Sequence, residues 1–260
     1  RRASCMLPSD LRVPSAPSAR NKLSKNSVDH TDWSAYATAY DLLSLHNPAY
    51  RELLGDFRSF IGKIDQPEVI YDIGGGTGNY TEIAAELCPG SKIRLIEPDP
   101  RMIAIAKSKL SSYNDITFDT RSMEETDALE KADLVICVHA LYAMTSPEKR
   151  LRQLAGLLRP GGMLFLIDLG RELDLAHWRR YLLRHLFATH GLLGAARITW
   201  QGREIARQNR QIRNAQKAGD YWTYEEGELA GKVAEAGFEV LRSRPAYLGY
   251  SDLVVARRRL

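Results

Sequence analysis

One glycine-rich segment has residue types and a spacing that could bind a small ligand. Residues 69–79 read Val-Ile-Tyr-Asp-Ile-Gly-Gly-Gly-Thr-Gly-Asn, so a β-branched and aromatic run stops at Asp72 and a helical pattern follows Gly78. This order predicts a buried strand, a loop that can adopt positive φ at several points, and the start of a helix. Such a turn lets backbone N–H groups approach a ligand at the carboxyl end of a parallel strand.

A second segment supplies an acidic residue at the end of the next predicted strand. Residues 93–99 read Ile-Arg-Leu-Ile-Glu-Pro-Asp, and the carboxylate of Glu97 could accept both hydroxyls of a ribose. NAD enzymes place an acid similarly, so Glu97 indicates a ribose without selecting the cofactor. The dinucleotide fingerprint G-x-G-x-x-G fits only in part, because Asn79 stands where the third glycine should be. The phosphate-binding loop is excluded, since no Lys-Ser or Lys-Thr follows the glycines.

Four segments in order resemble the class I, Rossmann-like methyltransferases that use S-adenosylmethionine, of the small-molecule type. They are Asp-Ile-Gly-Gly-Gly-Thr-Gly-Asn at 72–79, Ile-Glu-Pro-Asp at 96–99, Ala-Asp-Leu-Val-Ile-Cys at 132–137, and Leu-Arg-Pro-Gly-Gly at 158–162. The resemblance implies an α/β fold with a seven-stranded, mostly parallel, doubly wound sheet of order 3-2-1-4-5-7-6, the last strand antiparallel. It implies S-adenosylmethionine as cofactor, S-adenosylhomocysteine as product, and methyl transfer by direct displacement. It does not identify the methyl acceptor.

The resemblance also implies a cofactor site at the carboxyl edge of the sheet. Its expected residues are Tyr40, Asp72, Gly74, Gly76, Gly78, Glu97, Pro98, Met102, Ser122, Met123 and Val138. Asp72 would hold the glycine loop or meet the amino group of the methionine moiety, and Glu97 would bind the ribose. Pro98 and Met102 would border the adenine. At the adenine edge the family often has an acidic residue followed by a small or apolar one, and Arg-Ser at 121–122 departs from that pattern.

The methyl-transfer site is expected just beyond the fourth strand, at residues 138–142. His139 could act as a general base, because its ordinary pKa lies near working pH, or it could be a hydrogen-bonded element that shapes the pocket. Alignment of acceptor and methyl donor supplies much of the acceleration in either case. The expected acceptor pocket is lined by Tyr36, Tyr142, Trp178 and Tyr181. Neither the Asn/Asp-Pro-Pro-aromatic turn nor the Pro-Cys nucleophile of base-modifying enzymes is present here.

The pattern of elements predicts how these residues are positioned. Residues 1–30, rich in Ser, Pro and Arg, are predicted to be flexible, and residues 31–260 to form one domain. Within that domain we expect a helical lid at 31–62 and a helical insert at 171–220, after the fifth strand. Strands are predicted near 68–73, 92–97, 115–119, 132–138, 162–168, 238–243 and 250–257. The Arg-rich stretch 203–213 is expected to be mobile or solvated, and the Thr223–Glu226 capping box to open a helix.

Composition restricts the class of protein. The 260 residues, 44% of them hydrophobic, suit one α/β domain. No apolar run of about 18 residues exists, so no membrane span is expected. The three cysteines lack C-x-x-C pairing and the six histidines lack ligand spacing, so neither a disulfide scaffold nor a metal site is expected. We therefore expect a cytoplasmic location.

The net charge of +4 is unevenly distributed. Residues 1–30 carry +4, residues 171–220 carry +6 and the run 257–259 carries +3, which leaves −9 for the rest. The basic insert could be a solvated helix face, or it could attract an anionic acceptor.

The sequence therefore predicts an S-adenosylmethionine-dependent methyltransferase acting on a small-molecule acceptor, with an anionic acceptor as one option. Alternatives are an RNA or protein methyltransferase, which only the basic insert and tail favour, and a binding protein that holds the cofactor without transferring methyl. A nucleic-acid acceptor is disfavoured by the missing motifs, and an NAD-linked oxidoreductase by Asn79. The acceptor, the choice among O-, N- and C-methylation, and the oligomeric state stay open.

Overall fold

The computed structural model describes residues 31–126 and 129–260, so the flexible segment predicted for residues 1–30 lies outside the described residues. The helices are α1 Trp33–His46, α2 Pro48–Ile61, α3 Asn79–Leu87, α4 Pro100–Lys109, α5 Pro147–Leu157, α6 Leu175–Gln201, α7 Arg203–Ala218 and α8 Glu228–Glu235. The strands are β1 Val69–Ile73, β2 Lys92–Ile96, β3 Ile116–Asp119, β4 Ala132–Val138, β5 Leu158–Leu169, β6 Phe238–Ala246 and β7 Ser251–Arg258. No helix in these two ranges is both long and apolar enough to span a membrane.

The strands form one sheet with the predicted order, β3-β2-β1-β4-β5-β7-β6. β1 pairs in parallel with β2 and β4, and β7 pairs antiparallel with β5 and β6. Opposite Ile73, the last residue of β1, lie Ile96 of β2 and Cys137 of β4. The loops after these three strands therefore meet at one edge of the sheet, where ligands of such sheets bind. The predicted fold is confirmed.

Two apolar layers cover the faces of the sheet. Alternate residues of β4 point to opposite faces, with Leu134 and Ile136 in one cluster and Val135 and Cys137 in the other. The first cluster joins the sheet to α1, α2, α3, α6 and α7, and the second joins it to α5 and α8. The insert and the N-terminal helices thus lie on the same side of the sheet, above the edge where β1 and β4 end.

Local capping explains where the N-terminal helices begin. An Asp32 carboxylate oxygen accepts from the backbone N–H of Ala35 at 2.9 Å, which caps α1. Asn47 ends α1 and caps α2, and Pro48 occupies the first turn of α2, where a missing N–H costs nothing. The insert after β5 consists of α6, which is interrupted at Gly191, and α7.

The structure corrects the prediction that residues 203–213 are mobile or solvated. They belong to α7, whose inner face buries Gln208, Gln211 and Ile212. The amide oxygen of Gln208 accepts from the backbone N–H of Asp32 at 2.9 Å. Glutamines that are buried in the structure count as polar in the sequence pattern, which hid the amphipathic period of α7.

A second correction concerns the capping box at Thr223–Glu226. The helix α8 begins at Glu228, with Gly227 at its N-cap. Tyr224 instead is buried, and its hydroxyl donates to the backbone carbonyl of Asp168 at 2.7 Å. A tertiary contact of one aromatic residue therefore overrides the local helix signal.

Candidate functional site

The loop after β1 has a backbone that only glycine adopts freely. Gly74 and Gly78 have φ values of 67° and 82°. A Cβ on Gly74 would lie 2.4 Å from the Cβ of Ala140, and one on Gly78 would lie 2.8 Å from Cδ1 of Leu110. Both glycines are therefore required by conformation and by close approach of neighbouring elements.

A small open cradle lies above the third glycine of the motif. A Cβ on Gly76 (φ 55°) would come no closer than 3.9 Å to the sulfur of Met102 and 4.0 Å to the ring of Tyr40. The backbone N–H of Gly76 donates to Oε2 of Glu97 at 3.1 Å, and that of Asp99 donates to Oε1 at 2.9 Å. The loop of β1 and the acid of β2 are thus brought together as the sequence predicts.

Glu97 is a carboxyl group with an elevated pKa. Burial raises its pKa from the ordinary value of 4.5 to about 7, and the two backbone N–H donors only partly offset this. A carboxylate has about four acceptor positions, of which these two N–H groups use two. Further hydroxyl donors would stabilise the ionised form.

The side chain of Asp72 is not exposed in the glycine loop and makes an internal contact. It is buried at the end of β1, and its Oδ2 accepts from the hydroxyl of Thr81 at 2.6 Å. Burial raises its pKa to about 6. The Thr81 bond ties the strand end to α3, and the two roles expected from the sequence stay predictions.

Helix α1 is fastened across the glycine loop. Oδ1 of Asp41 accepts from the hydroxyl of Thr77 at 2.6 Å and from Nζ of Lys109 at 3.0 Å. At its start, the hydroxyl of Ser34 donates to Oδ2 of Asp99 at 2.7 Å. These bonds join the N-terminal helix to the ends of β1 and β2, which is the position expected of a lid.

An aromatic cavity lies beside the cradle. It is lined by Trp33, Tyr36, Tyr40, Leu43, His139, Tyr142, Leu169, Leu173, Trp178, Asn209, Ile212 and Tyr247. Tyr40 therefore belongs to both the cradle and the cavity. The cavity volume is about 40 Å³, room for only a few water molecules at ~10–15 Å³ each. An organic acceptor requires some of these side chains to move.

His139 is held rigidly at the end of β4. It has a φ of 50°, its backbone N–H donates to Ile167 at 2.7 Å, and its Nε2 lies 2.9 Å from Oγ of Ser251. Burial lowers the pKa of the imidazole to about 4. The ring is therefore neutral at pH 7 and able to accept a proton, but it is a weak base. Val138, which precedes it, is buried in the first core cluster.

Several predicted site residues are not brought into the cavity wall. Tyr181 packs edge-on against Trp178 at a ring distance of 5.9 Å and is absent from the lining. Pro98 is exposed, Ser122 caps a short helical turn, and Met123 is buried in the second core cluster. Contacts of these residues with a ligand stay predictions.

Sequence reasoning missed Tyr247, in the turn between β6 and β7. Its ring lies 4.7 Å from that of His139 and 4.5 Å from that of Trp178, and its φ is 52°. It thus separates the predicted base from the predicted pocket wall. Only an aromatic residue two positions before Gly249 marks it in the sequence, and that signal is also typical of an ordinary turn.

Trp33 and Asn209 were also missed. Trp33 shares a helix face with Tyr36 and Tyr40, at spacings of three and seven residues, and this period could have revealed it. Asn209 lies in the polar stretch 203–213, which the sequence predicts to be mobile or solvated. Its side-chain oxygen accepts from the hydroxyl of Tyr36 at 3.4 Å, which joins α7 to α1.

Two curated relatives match part of the chain. The ubiquinone biosynthesis O-methyltransferase of Xanthomonas campestris pv. campestris (strain B100) is 31% identical over 105 residues, 39% of this chain and 43% of that protein. The malonyl-[acyl-carrier protein] O-methyltransferase of Halalkalibacterium halodurans is 26% identical over 112 residues, 42% of this chain and 41% of that protein. The chain spans less than half the length of these relatives.

The fold is also found in solved structures. The N-methyltransferase NodS of Bradyrhizobium japonicum WM9, in complex with S-adenosyl-L-homocysteine, superposes with a TM-score of 0.60 and 15% identity, over 87% of this chain and 99% of that one. A protein-family model described as a methyltransferase domain matches residues 45–243. The resemblance seen in the sequence is confirmed, and the chain belongs to this methyltransferase domain family.

Proposed function

We propose that the protein transfers a methyl group from S-adenosylmethionine to a small-molecule acceptor. The observation that carries the proposal is the cradle above Gly76, which faces Glu97 on one side and opens beside an aromatic cavity on the other. Tyr40 contributes to both, so a ligand in the cradle and a ligand in the cavity would be neighbours. Membership of the methyltransferase family supports the reaction.

The residues of the cradle fit this cofactor. Glu97 would bind the ribose hydroxyls, because its carboxylate keeps acceptor positions that the two backbone N–H groups do not use. Gly76 leaves room where any side chain would intrude, and Met102 and Tyr40 flank that room. When bound, the cofactor supplies an electrophilic methyl group on a sulfonium.

The rings of the cavity would exclude water and stabilise a positively charged group, such as the sulfonium of the cofactor. Tyr36, Tyr40 and Tyr142 are packed with Trp178 and Tyr247 around one small space. Aromatic faces attract cationic groups, and more strongly where water is absent. Because the space is small, we propose that α1 and the insert open to admit the acceptor and close again over it.

His139 would hold the acceptor and accept its proton. Its low pKa favours an acceptor group that already ionises readily, since a weak base removes a proton poorly from an ordinary alcohol. The two curated relatives are named as O-methyltransferases, which supports an oxygen acceptor. The +6 charge of residues 171–220 supports an anionic acceptor.

The proposal includes a cytoplasmic location. The free, buried thiols of Cys88 and Cys137 fit that location.

Calorimetric titration with S-adenosylmethionine and S-adenosylhomocysteine tests the cofactor, and transfer of a labelled methyl group to a metabolite extract tests the reaction. Binding of both compounds and labelling of a small molecule are expected. Cofactor binding without any labelling would indicate a binding protein, and labelling of the RNA or protein fraction would indicate the alternative acceptors. Failure to bind either compound would overturn the proposal.

A further inference from the structure

A groove opens next to the aromatic cavity, between α1, α6 and α7. Its volume is about 510 Å³, within the range of small-molecule sites. The lining is mainly aliphatic and includes Leu42, Leu182, Leu183, Leu186, Ile198 and Ile205. A groove of this kind favours a hydrocarbon chain, because burial of each methylene is favourable and needs no polar partner.

The groove and the aromatic cavity share part of their walls. Leu43, Trp178 and Asn209 line both. Within residues 31–126 and 129–260, Nε1 of Trp178 is buried without a hydrogen-bond partner. Buried donors normally have a partner, so this N–H is available to a polar atom of a ligand once the side chains that shield it at the junction move.

The exposed part of the groove wall is basic. Arg179 and Arg210 line it and are exposed, and in the part of the chain that the structure describes neither forms an ion pair. Arg213 also lines it, but its guanidinium is paired with Glu172 at 3.1 Å. The two unpaired guanidinium groups are complementary to an anion at the end of an apolar chain.

From these contacts we infer that the methyl acceptor is an anionic amphiphile: its reacting group lies in the aromatic cavity, its hydrocarbon chain fills the groove, and its anionic group meets Arg179 and Arg210. The inference rests on the proposed function for the reaction, but not for the groove itself. A polar atom between head and chain would accept from Nε1 of Trp178.

The segment 1–30 of the same chain is the rival occupant. It precedes Asp32, whose backbone N–H donates to Gln208, a neighbour of the groove residue Asn209. However, residues 1–30 carry +4, the same sign as the arginines of the groove wall. Charge complementarity therefore favours an anionic ligand over this segment.

Binding of n-alkanoates to the full chain tests the inference. Displacement of dansyl-undecanoate by hexanoate, octanoate, decanoate and dodecanoate should show affinity rising about three- to fourfold per methylene until the groove is full. Ala206→Trp places a large ring in the groove from an exposed position and should weaken dodecanoate binding about tenfold or more. The matched control Ala196→Trp, exposed on α6 outside the groove, should bind like the parent.

Charge is tested separately. The double variant Arg179→Gln/Arg210→Gln should lose the preference for dodecanoate over dodecanol, and Arg180→Gln, exposed but not in the lining, should keep it. Equal binding by the two tryptophan variants, or affinity independent of chain length, would overturn the inference. So would tenfold tighter binding after removal of residues 1–30, since that segment would then fill the groove.

Titration of the same proteins with S-adenosylmethionine separates this inference from the proposed function. Ala206→Trp and Ala196→Trp should both bind the cofactor as the parent does. Cofactor binding with no alkanoate binding would contradict only the assignment of the groove. Alkanoate binding with no cofactor binding would contradict the proposed function and would still support the assignment of the groove.

Discussion

The two ends of the site are built in different ways. Apart from Tyr40, the proposed cofactor end comes from one stretch of chain, residues 72–102, in which the backbone N–H of Gly74 donates to Ile96 at 2.8 Å and the strands themselves fix the geometry. The acceptor end combines α1, the turn after β4, α6, α7 and the β6–β7 turn. In the proposed site, the sheet therefore determines the donor end, whereas helices added to the sheet determine which acceptor fits.

Burial shifts the pKa values of the key titratable groups at the two ends in opposite directions. It raises the pKa of Glu97 to about 7 at the cofactor end and lowers the pKa of His139 to about 4 at the acceptor end. Both shifts favour the neutral form, since a charged group loses hydration on burial. At pH 7 the imidazole of His139 is therefore neutral, and the carboxyl group of Glu97 is about half ionised.

The largest expected effect is the loss of cofactor affinity when Glu97 is removed. Glu97→Ala should weaken S-adenosylmethionine binding by about 100-fold or more, because hydrogen bonds to a charged group contribute about 1.5–3 kcal/mol each. The control Glu68→Ala changes an exposed residue at the opposite end of β1 and should leave binding unchanged. Calorimetry measures both, and unchanged affinity of Glu97→Ala would contradict the cofactor assignment.

At the acceptor end, His139→Ala should lower the rate constant of methyl transfer by about 100-fold, within the range for loss of a general base. The measurement is single-turnover methyl transfer, with the acceptor identified in the extract. Ser251→Ala keeps the imidazole but removes the partner of Nε2, so an intermediate loss is expected. Parent-like turnover of His139→Ala would leave the histidine as a shape element only.

A smaller effect distinguishes the two ends by pH. Only ionised Glu97 should bind the ribose well, so affinity for S-adenosylmethionine should fall about tenfold from pH 8 to pH 6, through the raised pKa of about 7. Glu97→Gln should bind weakly at every pH in this window. His139 stays neutral throughout the window, so a pH dependence that disappears in His139→Ala instead would contradict this assignment.

The same contrast explains what the sequence could predict. The loop at Gly74–Gly78 and the acid Glu97 follow local rules, since each needs a particular residue type directly after a strand. Tyr247 meets His139 and Trp178, which are far from it in the chain, and Asn209 depends on packing between α7 and α1. No local period encodes such contacts. The fold was predictable because alternating strands and helices have few arrangements. The cavity wall was predictable only in part, at Tyr36 and Trp178, which lie in helical patterns, and at Tyr142, which follows the fourth strand.

The smallest predicted effect concerns the bond that joins the ends, between Asp41 of α1 and Thr77 of the glycine loop. Asp41→Asn keeps an acceptor oxygen but loses the charge that also pairs with Lys109 at 3.0 Å. The pair is partly exposed, so its loss should cost less than about 1 kcal/mol. If α1 is a lid, the loss should appear in the dissociation rate of S-adenosylmethionine, a rise of about threefold in stopped-flow fluorescence, with little change in the association rate.

A double-mutant cycle decides whether that bond acts as a latch. Asp41→Ala and Thr77→Ala should each speed dissociation, and the double variant should dissociate no faster than Asp41→Ala, because both changes remove the hydrogen bond between the two side chains. Additive effects would mean that the two residues act separately and that α1 is only a packed wall. Asp65→Asn, exposed in the connection between α2 and β1, is the matched control and should dissociate like the parent. A latch at this position would couple the two ends, since α1 also carries Tyr36 and Tyr40 into the acceptor cavity and cannot release the cofactor without opening the acceptor wall.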